Sequence, residues 1–314
     1  MLSPGAFADE DRGTLSLQFE NDALAGGTDR NYTSGARIAY LTGPDRVWGI
    51  VEGTAGLLLG AAEEDVVRFG FALGQSIFTP DDIRETRPLP DQHPYAGWLY
   101  ADFSILVERK YTLDTLSLQV GVVGPDSGAE WVQTNVHEWI HSDEPRGWDN
   151  QLQHEPGVVL TFDRKWRALA EWDALSIGID LTPNAGFSVG NVLTQATAGL
   201  TLRIGNDLAD DYGPPRIRPS LAGGGFFKPS DSFGWYIFAG AAGRAVAYNI
   251  FLDGNTMRDS LEVDRRPFVL DVQVGVVIQL LRVQLAFTVV GRTEEFESQR
   301  DEQVFGAVSL SFKI

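Results

Sequence analysis

The sequence predicts an all-β fold, a 12-stranded antiparallel transmembrane β-barrel with a short helix in an extracellular loop. Apolar residues alternate with small or polar residues through most of the chain, and very short turns alternate with mostly long ones. The last segment also alternates up to Ile314, with the aromatic Phe312 two residues before the end. Membrane barrels show this pattern because one side of each strand faces lipid and the other faces the lumen.

The composition of the less apolar face of the strands distinguishes a membrane barrel from a soluble one. A soluble sandwich or lipocalin-like barrel turns its polar side to water, where many Lys and Glu residues are expected. In this chain that side is dominated by Gly, Ser, Gln and Thr. We therefore predict that the apolar side contacts lipid. Placing both termini on the periplasmic side requires an even strand number, which favours 12 strands over the 13 obtained if Ile217–Phe227 is also a strand.

The composition argues against several classes of protein. With 43 acidic and 25 basic residues, the formal net charge is −18, which disfavours nucleic acid as a partner. The chain has no cysteine, and it has no apolar run of the roughly 18 residues that a transmembrane helix needs. Ala6-Phe7-Ala8 fits a signal-peptidase site. We predict that residues 1–8 are a signal-peptide remnant or a tag and that residues 9–314 form one barrel domain.

The first hairpin, FENDALAGGTDRNYTSGARIAY (19–40), predicts a polar rim at the end of the barrel. Side chains two apart on a strand share a face. Glu20 and Asp22 therefore share the polar face of the first strand, and Thr33 and Arg37 share that of the second. A hairpin between them brings carboxylates, a hydroxyl and a guanidinium together. The alternative interpretation is that Asn, Asp and Gly here only form a turn.

The other elements follow from the same alternation. A short helix or turn is predicted within Val47–Gly60, a helix at Ala129–Ile140 with Gln133 and His137 on one face, and a basic turn at Asp163–Trp172. The remaining strands are predicted at 66–78, 98–107, 115–122, 154–162, 174–184, 196–204, 233–248, 270–279, 282–289 and 307–314. The loops expected to face outward are 23–32, 79–96, 124–153, 185–195, 249–266 and 294–302.

The first three outward loops contain the residues best suited to chemistry. A neutral imidazole such as that of His137 is the natural general base for activating water. The chain has no cysteine nucleophile, and its GFSVG string (186–190) precedes no predicted helix, so it does not form the strand–turn–helix nucleophile elbow. Asp and Asn side chains with backbone carbonyls are hard oxygen donors, which suit calcium better than zinc. These residues predict a hydrolytic site with a histidine base and a carboxylate-bound metal.

Four segments resemble the outer-membrane lipid A 3′-O-deacylase family of calcium-dependent 12-stranded barrel hydrolases. They are FENDALAGGTDRNYTSGAR (19–37), HPYAGWLY (93–100), VQTNVHEWIHSDEPRGWDNQLQHEPG (132–157) and GRAVAYNIFLDGNTMRDS (243–260). The resemblance implies that Asn21 and Asp22 are the Asn-Asp pair of the site, Thr33 its hydroxyl and His137 its general base, with Gln133 orienting that base. It also implies Ca²⁺ as the cofactor, with Asp22 as a ligand and Glu20 as a second candidate ligand. The residues expected to contact substrate are Arg37, Arg84, Arg87, His93, Tyr95 and Trp148.

The chain departs from the family pattern at two positions and leaves one assignment open. His93 stands where the family usually has an arginine, so a contact to a substrate phosphate is lost or moved to Arg84 or Arg87. His141 replaces a glycine after the helix. The acidic residue that follows the histidine in the family corresponds to either Asp143 or Glu144.

The function implied is a calcium-dependent carboxylic ester hydrolase that removes the 3′-acyloxyacyl chain from lipid A, the membrane anchor of lipopolysaccharide. We expect a monomer in the bacterial outer membrane, with its active site at the outer-leaflet face. The alternatives are a non-enzymatic pore or structural barrel, and an outer-membrane phospholipase-like esterase that uses a serine. A soluble ligand-binding barrel is a third alternative.

Overall fold

The computed structural model describes residues 12–25, 30–167, 169–174, 177–206, 208, 227 and 230–314. Within these residues, thirteen strands form one antiparallel sheet. The strands are β1 Thr14–Asn21, β2 Asn31–Leu41, β3 Val66–Thr79, β4 Ala96–Glu108, β5 Thr112–Val123, β6 Glu155–Trp166, β7 Ala170–Ala174, β8 Ile177–Gly190, β9 Leu193–Gly205, β10 Ser230–Asn249, β11 Phe268–Leu281, β12 Val283–Arg292 and β13 Gln303–Lys313. The segments 1–8 and 217–226, for which we made predictions, lie outside the described residues.

The sheet closes into a barrel with twelve strand positions. β1 pairs with β13, and β6 pairs with β8. Both β6 and β7 run antiparallel to β8, with Lys165 opposite Asn184 and Ala170 opposite Leu181. β6 and β7 are therefore one barrel strand interrupted by a bulge. This confirms the predicted 12-stranded antiparallel barrel.

Two predicted connections were wrong. The predicted turn at Asp163–Trp172 lies within the β6–β7 strand, which continues past Trp166. The predicted outward loop 185–195 shrinks to Asn191 and Val192, because β8 and β9 pair as far as Ser188 and Gln195. Both predictions were wrong for the same reason. The strands contain charged and small residues of the types that are common in turns.

The barrel is apolar outside and polar inside. On β1, Leu17 and Phe19 are 43% and 46% exposed, whereas Gln18 and Glu20 between them are buried. Buried ion pairs fill the interior, including Arg203–Asp180 and Arg292–Asp271. A cluster of large buried side chains, among them Tyr32, Phe78, Trp98, Phe251 and Phe305, fills the end of the lumen near the long loops. The interior is thus packed with side chains.

The strand directions place Thr14 and Lys313 at one end of the barrel. The loops that follow β1, β3, β5, β10 and β12 gather at the opposite end, which we call the outer end. Long connections at the outer end and short ones at the other are typical of outer-membrane barrels. The long segment 42–65 is an exception at the end that carries the termini.

Three α-helices accompany the strands in the described part of the chain. They are α1 (Gly49–Leu59), α2 (Ala129–Ile140) and α3 (Ile250–Asp253). The segment Val47–Gly60, predicted as a short helix or a turn, contains the helix α1, and α2 has the predicted bounds in the loop between β5 and β6. None of the helices described is long and apolar enough to cross a membrane.

Candidate active site on the membrane side of the barrel wall

A groove of about 920 Å³ lies at the outer end, between α2 and the ends of β1, β2 and β3. Phe19 and Ala36 belong to the outward-facing rows of their strands, and both line the groove. The groove therefore opens through the outside of the barrel wall and not into the lumen. Its lining includes the predicted site residues Asn21, Thr33, Arg84, Gln133 and His137.

α2 forms one wall of the groove and buries a polar stripe. Gln133 and His137 are buried, whereas Val136, Trp139 and Ile140 are 45%, 82% and 55% exposed. All five residues line the groove. A helix that faced water would show the reverse pattern. The exposed apolar side of α2 therefore continues the apolar outer wall of the barrel.

The imidazole of His137 is oriented by the main chain. Its Nδ1 lies 2.6 Å from the carbonyl oxygen of Asp143. A carbonyl only accepts hydrogen bonds, so Nδ1 must carry the hydrogen, and in the neutral ring the lone pair is then on Nε2. This is the tautomer that a general base requires. Of the two acidic residues left open by the sequence, Asp143 thus contacts His137 through its backbone, while Glu144 accepts from Nε of Arg146 at 2.9 Å.

His141 preserves the end of α2 without a glycine. Its φ is 59°, in the left-handed region, and it caps the helix. A residue other than glycine adopts this conformation at a cost of about 1–2 kcal/mol. The imidazole Nδ1 donates to the carbonyl of Glu138 at 3.0 Å, which offsets part of that cost.

The first hairpin brings Asn21, Asp22 and Thr33 to the groove or its edge. Asn21 is the last residue of β1, and its Oδ1 accepts from the backbone N–H of Ala23 at 2.8 Å. Asp22 is wholly buried, and its Oδ2 accepts from the N–H of Arg30 at 2.8 Å. Thr33 sits at a bulge in β2, with its hydroxyl 2.6 Å from that of Thr79. The bulge gives Thr33 a place in the groove lining.

Two residues predicted to contact substrate lie beneath the groove. The indole Nε1 of Trp148 donates to Oε1 of Gln133 at 2.9 Å. The ring of Tyr95 packs 4.8 Å from that of Trp148, and its hydroxyl donates to the carbonyl of Ile83 at 2.9 Å. Among the described residues the Nε2 of Gln133 has no hydrogen-bond partner. Trp148 thereby fixes which end of the Gln133 amide is available to a ligand.

Of the three arginines predicted to contact substrate, Arg37 and Arg87 lie away from the groove. Arg37 faces the lumen, between Gln18 at 3.4 Å and Asp102 at 4.0 Å. Arg87 has an 82% exposed side chain and binds Glu85 at 3.0 Å; its hydrogen bond holds the pKa of that carboxyl down at about 2. Arg84 alone of the predicted arginines lines the groove, 3.8 Å from the carboxylate of Asp143.

His93 is buried inside the outer end of the barrel. Its ring stacks on Phe78 at 5.3 Å, and Nδ1 donates to the carbonyl of Pro94 at 2.8 Å. Burial lowers its pKa, although Pro94 and the nearby Glu295 act in the opposite direction. A buried neutral imidazole does not replace the charge of the arginine that is common at this position.

The predicted calcium ligands differ in their suitability. Calcium takes six to eight oxygen ligands. Asp22 offers a buried carboxylate beside the groove, whereas Glu20 faces the lumen close enough to Arg292 to interact with its charge. No group of three or more His, Asp or Glu side chains converges anywhere in the described ranges. The buried carboxylate of Asp22 suits a calcium ligand, and any further oxygen ligands would have to come from backbone carbonyls and water.

Arg300 is a groove residue that sequence reasoning missed. It lies in the loop after β12, nearly 280 positions from the first hairpin along the chain. Closure of the barrel through the β1–β13 pair brings that loop beside β1. An ion pair of 3.3 Å between Arg30 and Asp301 joins the two loops directly.

The fold and the groove define an outer-membrane β-barrel whose candidate site lies on the membrane side of its wall. The family model described as "Outer membrane protein LpxR" matches residues 1–314, and the chain belongs to that family. This confirms the outer-membrane location and the resemblance to lipid A 3′-O-deacylases.

Solved structures agree on the architecture. LpxR from Salmonella typhimurium superposes with a TM-score of 0.79 at 20% identity, over 96% of this chain and 100% of the other, which establishes the shared fold. The β domain of the Bordetella autotransporter BrkA, at 9% identity over 96% and 98% of the two chains, has a TM-score of 0.46 and is too distant to inform the site. No curated protein matches the sequence.

Proposed function

We propose that this protein hydrolyses the ester that attaches the 3′-acyloxyacyl chain to lipid A, with His137 as the general base. The observation that carries the proposal is the groove itself, which combines an oriented imidazole with an opening on the lipid-facing side of the wall. An acylated lipid of the outer leaflet reaches such a site while its chains remain beside the apolar wall.

The proposed reaction begins at Nε2 of His137. This nitrogen takes a proton from water, and the resulting hydroxide attacks the ester carbonyl. The tetrahedral intermediate then collapses, and the imidazolium returns the proton to the departing sugar oxygen. The hydrogen bond from Nδ1 to the carbonyl of Asp143 holds the ring throughout. General acid–base catalysis of this kind contributes about 10²–10⁴ in rate.

Polar groups of the groove are suited to the developing oxyanion. The NH₂ group of Gln133, the hydroxyl of Thr33 and the side chain of Asn21 share the lining with His137. Donors placed in advance stabilise negative charge in the transition state without reorganisation. Bound Ca²⁺ would add a positive charge at this point, and Asp22 would hold it.

Two cations are suited to the phosphorylated part of lipid A. Arg84 and Arg300 both line the groove and are exposed at its outer end. Guanidinium groups bind phosphate oxygens in a bidentate manner. We propose that Arg84, together with Arg300, takes the place of the family arginine that His93 replaces.

The test is mass spectrometry of lipid A from Gram-negative cells that express the protein. The expected result is loss of one acyloxyacyl unit, absent with His137→Ala and retained with His141→Asn, a change one turn later on the solvent side to a residue that tolerates the left-handed conformation. Activity should also disappear with a calcium chelator and return with added Ca²⁺. Unchanged lipid A with correctly folded protein would contradict the proposal.

A serine-based esterase makes a different prediction for the same assay. Ser34 and Ser142 line the groove and are the available hydroxyl nucleophiles of that type. If His137 activates water, Ser34→Ala and Ser142→Ala retain most of the activity. Complete loss with either variant would favour the phospholipase-like mechanism.

A further inference from the structure

Helix α1 lies outside the barrel, at the end that carries the chain termini. Trp48, its N-terminal flanking residue, contacts Phe69 edge-on at 5.6 Å. Phe69 belongs to the outward-facing row of β3, with Phe71 and Leu73. Val107 belongs to the corresponding row of β4, yet it is completely buried, and α1 packs against β4. The helix therefore covers the outer wall and not the mouth of the lumen.

The C-terminal end of α1 is fixed to the barrel by polar contacts. Arg109, in the turn after β4, donates to the carbonyl of Leu59 at 2.8 Å. The same guanidinium binds Asp65 at 3.1 Å and Asp114 at 2.6 Å. These bonds satisfy the C-terminal turn of the helix and hold it against the wall.

α1 is apolar on nearly all sides, but the barrel covers only one of them. Its sequence, GIVEGTAGLLL, contains a single charged residue, Glu52. Val51 and Ala55 are buried, whereas Ile50, Leu57 and Leu58 are 79%, 83% and 59% exposed. A helix that is apolar all round is normally buried all round. Something apolar must therefore cover the exposed side.

We propose that the exposed side of α1 is embedded in the periplasmic leaflet of the outer membrane, among phospholipid acyl chains. The side is continuous with the lipid-facing rows of β3 and β4 through Trp48 and Phe69. Tryptophan is enriched at the boundary between lipid and water, which is where Trp48 lies in this arrangement. The helix has no Lys or Arg, so burial of apolar area, and not attraction to anionic headgroups, drives the contact.

The test uses nitroxide labels on single cysteines, which is direct because the chain has no cysteine of its own. Ile50→Cys and Leu57→Cys probe α1 in full-length protein reconstituted in phosphatidylcholine vesicles. Leu73→Cys, on the lipid-facing row of β3, is the lipid control, and Glu63→Cys, exposed after the helix, is the water control. Collision of the labels with oxygen and with a water-soluble nickel chelate is measured by electron paramagnetic resonance.

The expected result is that the labels at positions 50 and 57 collide with oxygen several-fold more than with nickel, as at position 73. Collision with nickel at the level of position 63 would show the helix in water and overturn the proposal. Protection from both reagents would show that a protein surface, either a second copy or another partner, covers the helix, and would also overturn it. The outcome does not depend on the deacylase activity.

Discussion

At the scale of single residues, the main chain and a buried aromatic ring orient two polar side chains of the candidate site. The carbonyl of Asp143 selects the tautomer of His137, and the indole of Trp148 selects the orientation of Gln133. Trp148 does not line the groove, and Asp143, which does, orients the imidazole through its backbone carbonyl. These groups therefore position His137 and Gln133 for the reaction. Removing one of them should lower kcat more than it changes KM.

Trp148→Phe tests this positioning. The ring still packs on Tyr95, but the N–H that holds Oε1 of Gln133 is lost. Loss of one hydrogen bond of about 1–1.5 kcal/mol predicts a roughly tenfold fall in kcat with little change in KM. Steady-state kinetics on purified lipid A in detergent measure both constants. Trp131→Phe, an exposed tryptophan on α2, is the matched control and should leave both unchanged.

Some site residues could be predicted from the sequence and others could not. Gln133 and His137 follow from helix spacing, whereas Asn21 was given by the family resemblance, and Thr33 reaches the groove only through the bulge in β2. The burial of His93 and the position of Trp148 beneath Gln133 depend on which loops pack together over the barrel end. The spacing of residues along the chain does not reveal such packing. His93 and Trp148 were therefore predicted to contact substrate.

At the scale of elements, helix α2 has a polar side that faces the barrel and an apolar side that faces outward. Its bounds follow from residue spacing, but the side that it buries follows from the membrane: Gln133 and His137 face the barrel, and apolar residues face outward. Residue spacing predicts where the helix begins and ends, but it does not show whether a given side contacts protein, lipid or water. The exposed residues should therefore contribute to holding acylated substrate.

Trp139→Asp tests that contribution. Trp139 lines the groove and is 82% exposed, so the change removes apolar area without opening a core. Loss of about 1–2 kcal/mol of apolar contact predicts a roughly tenfold rise in KM for lipid A in bilayers, with kcat less affected. Glu138→Gln, next to it on the solvent side, serves as the control. An equal fall in kcat for both variants would place the effect in the helix fold instead.

At the scale of the whole molecule, closure of the barrel creates both the site and the filled interior. The β1–β13 pair joins the ends of the chain and brings Arg300 beside the first hairpin. Ion pairs such as Arg203–Asp180 and the aromatic cluster at the outer end occupy the lumen. The strand count was predictable because alternation and the position of the termini constrain it, whereas these long-range contacts were not.

The filled lumen predicts that the reconstituted protein carries no steady ion current. Single-channel recording in planar bilayers measures this directly. Porins of known conductance provide the positive control for insertion. A stable, reproducible conductance at neutral pH would instead favour the pore hypothesis that the sequence left open.

The sideways opening of the groove also determines how a substrate is encountered. A lipid that enters through the wall never leaves its leaflet, so the search is two-dimensional and proceeds by lateral diffusion. The relevant concentration is then the mole fraction of substrate within the leaflet. Diluting lipid A with inert lipid should slow the reaction, whereas diluting the same vesicles with buffer should not.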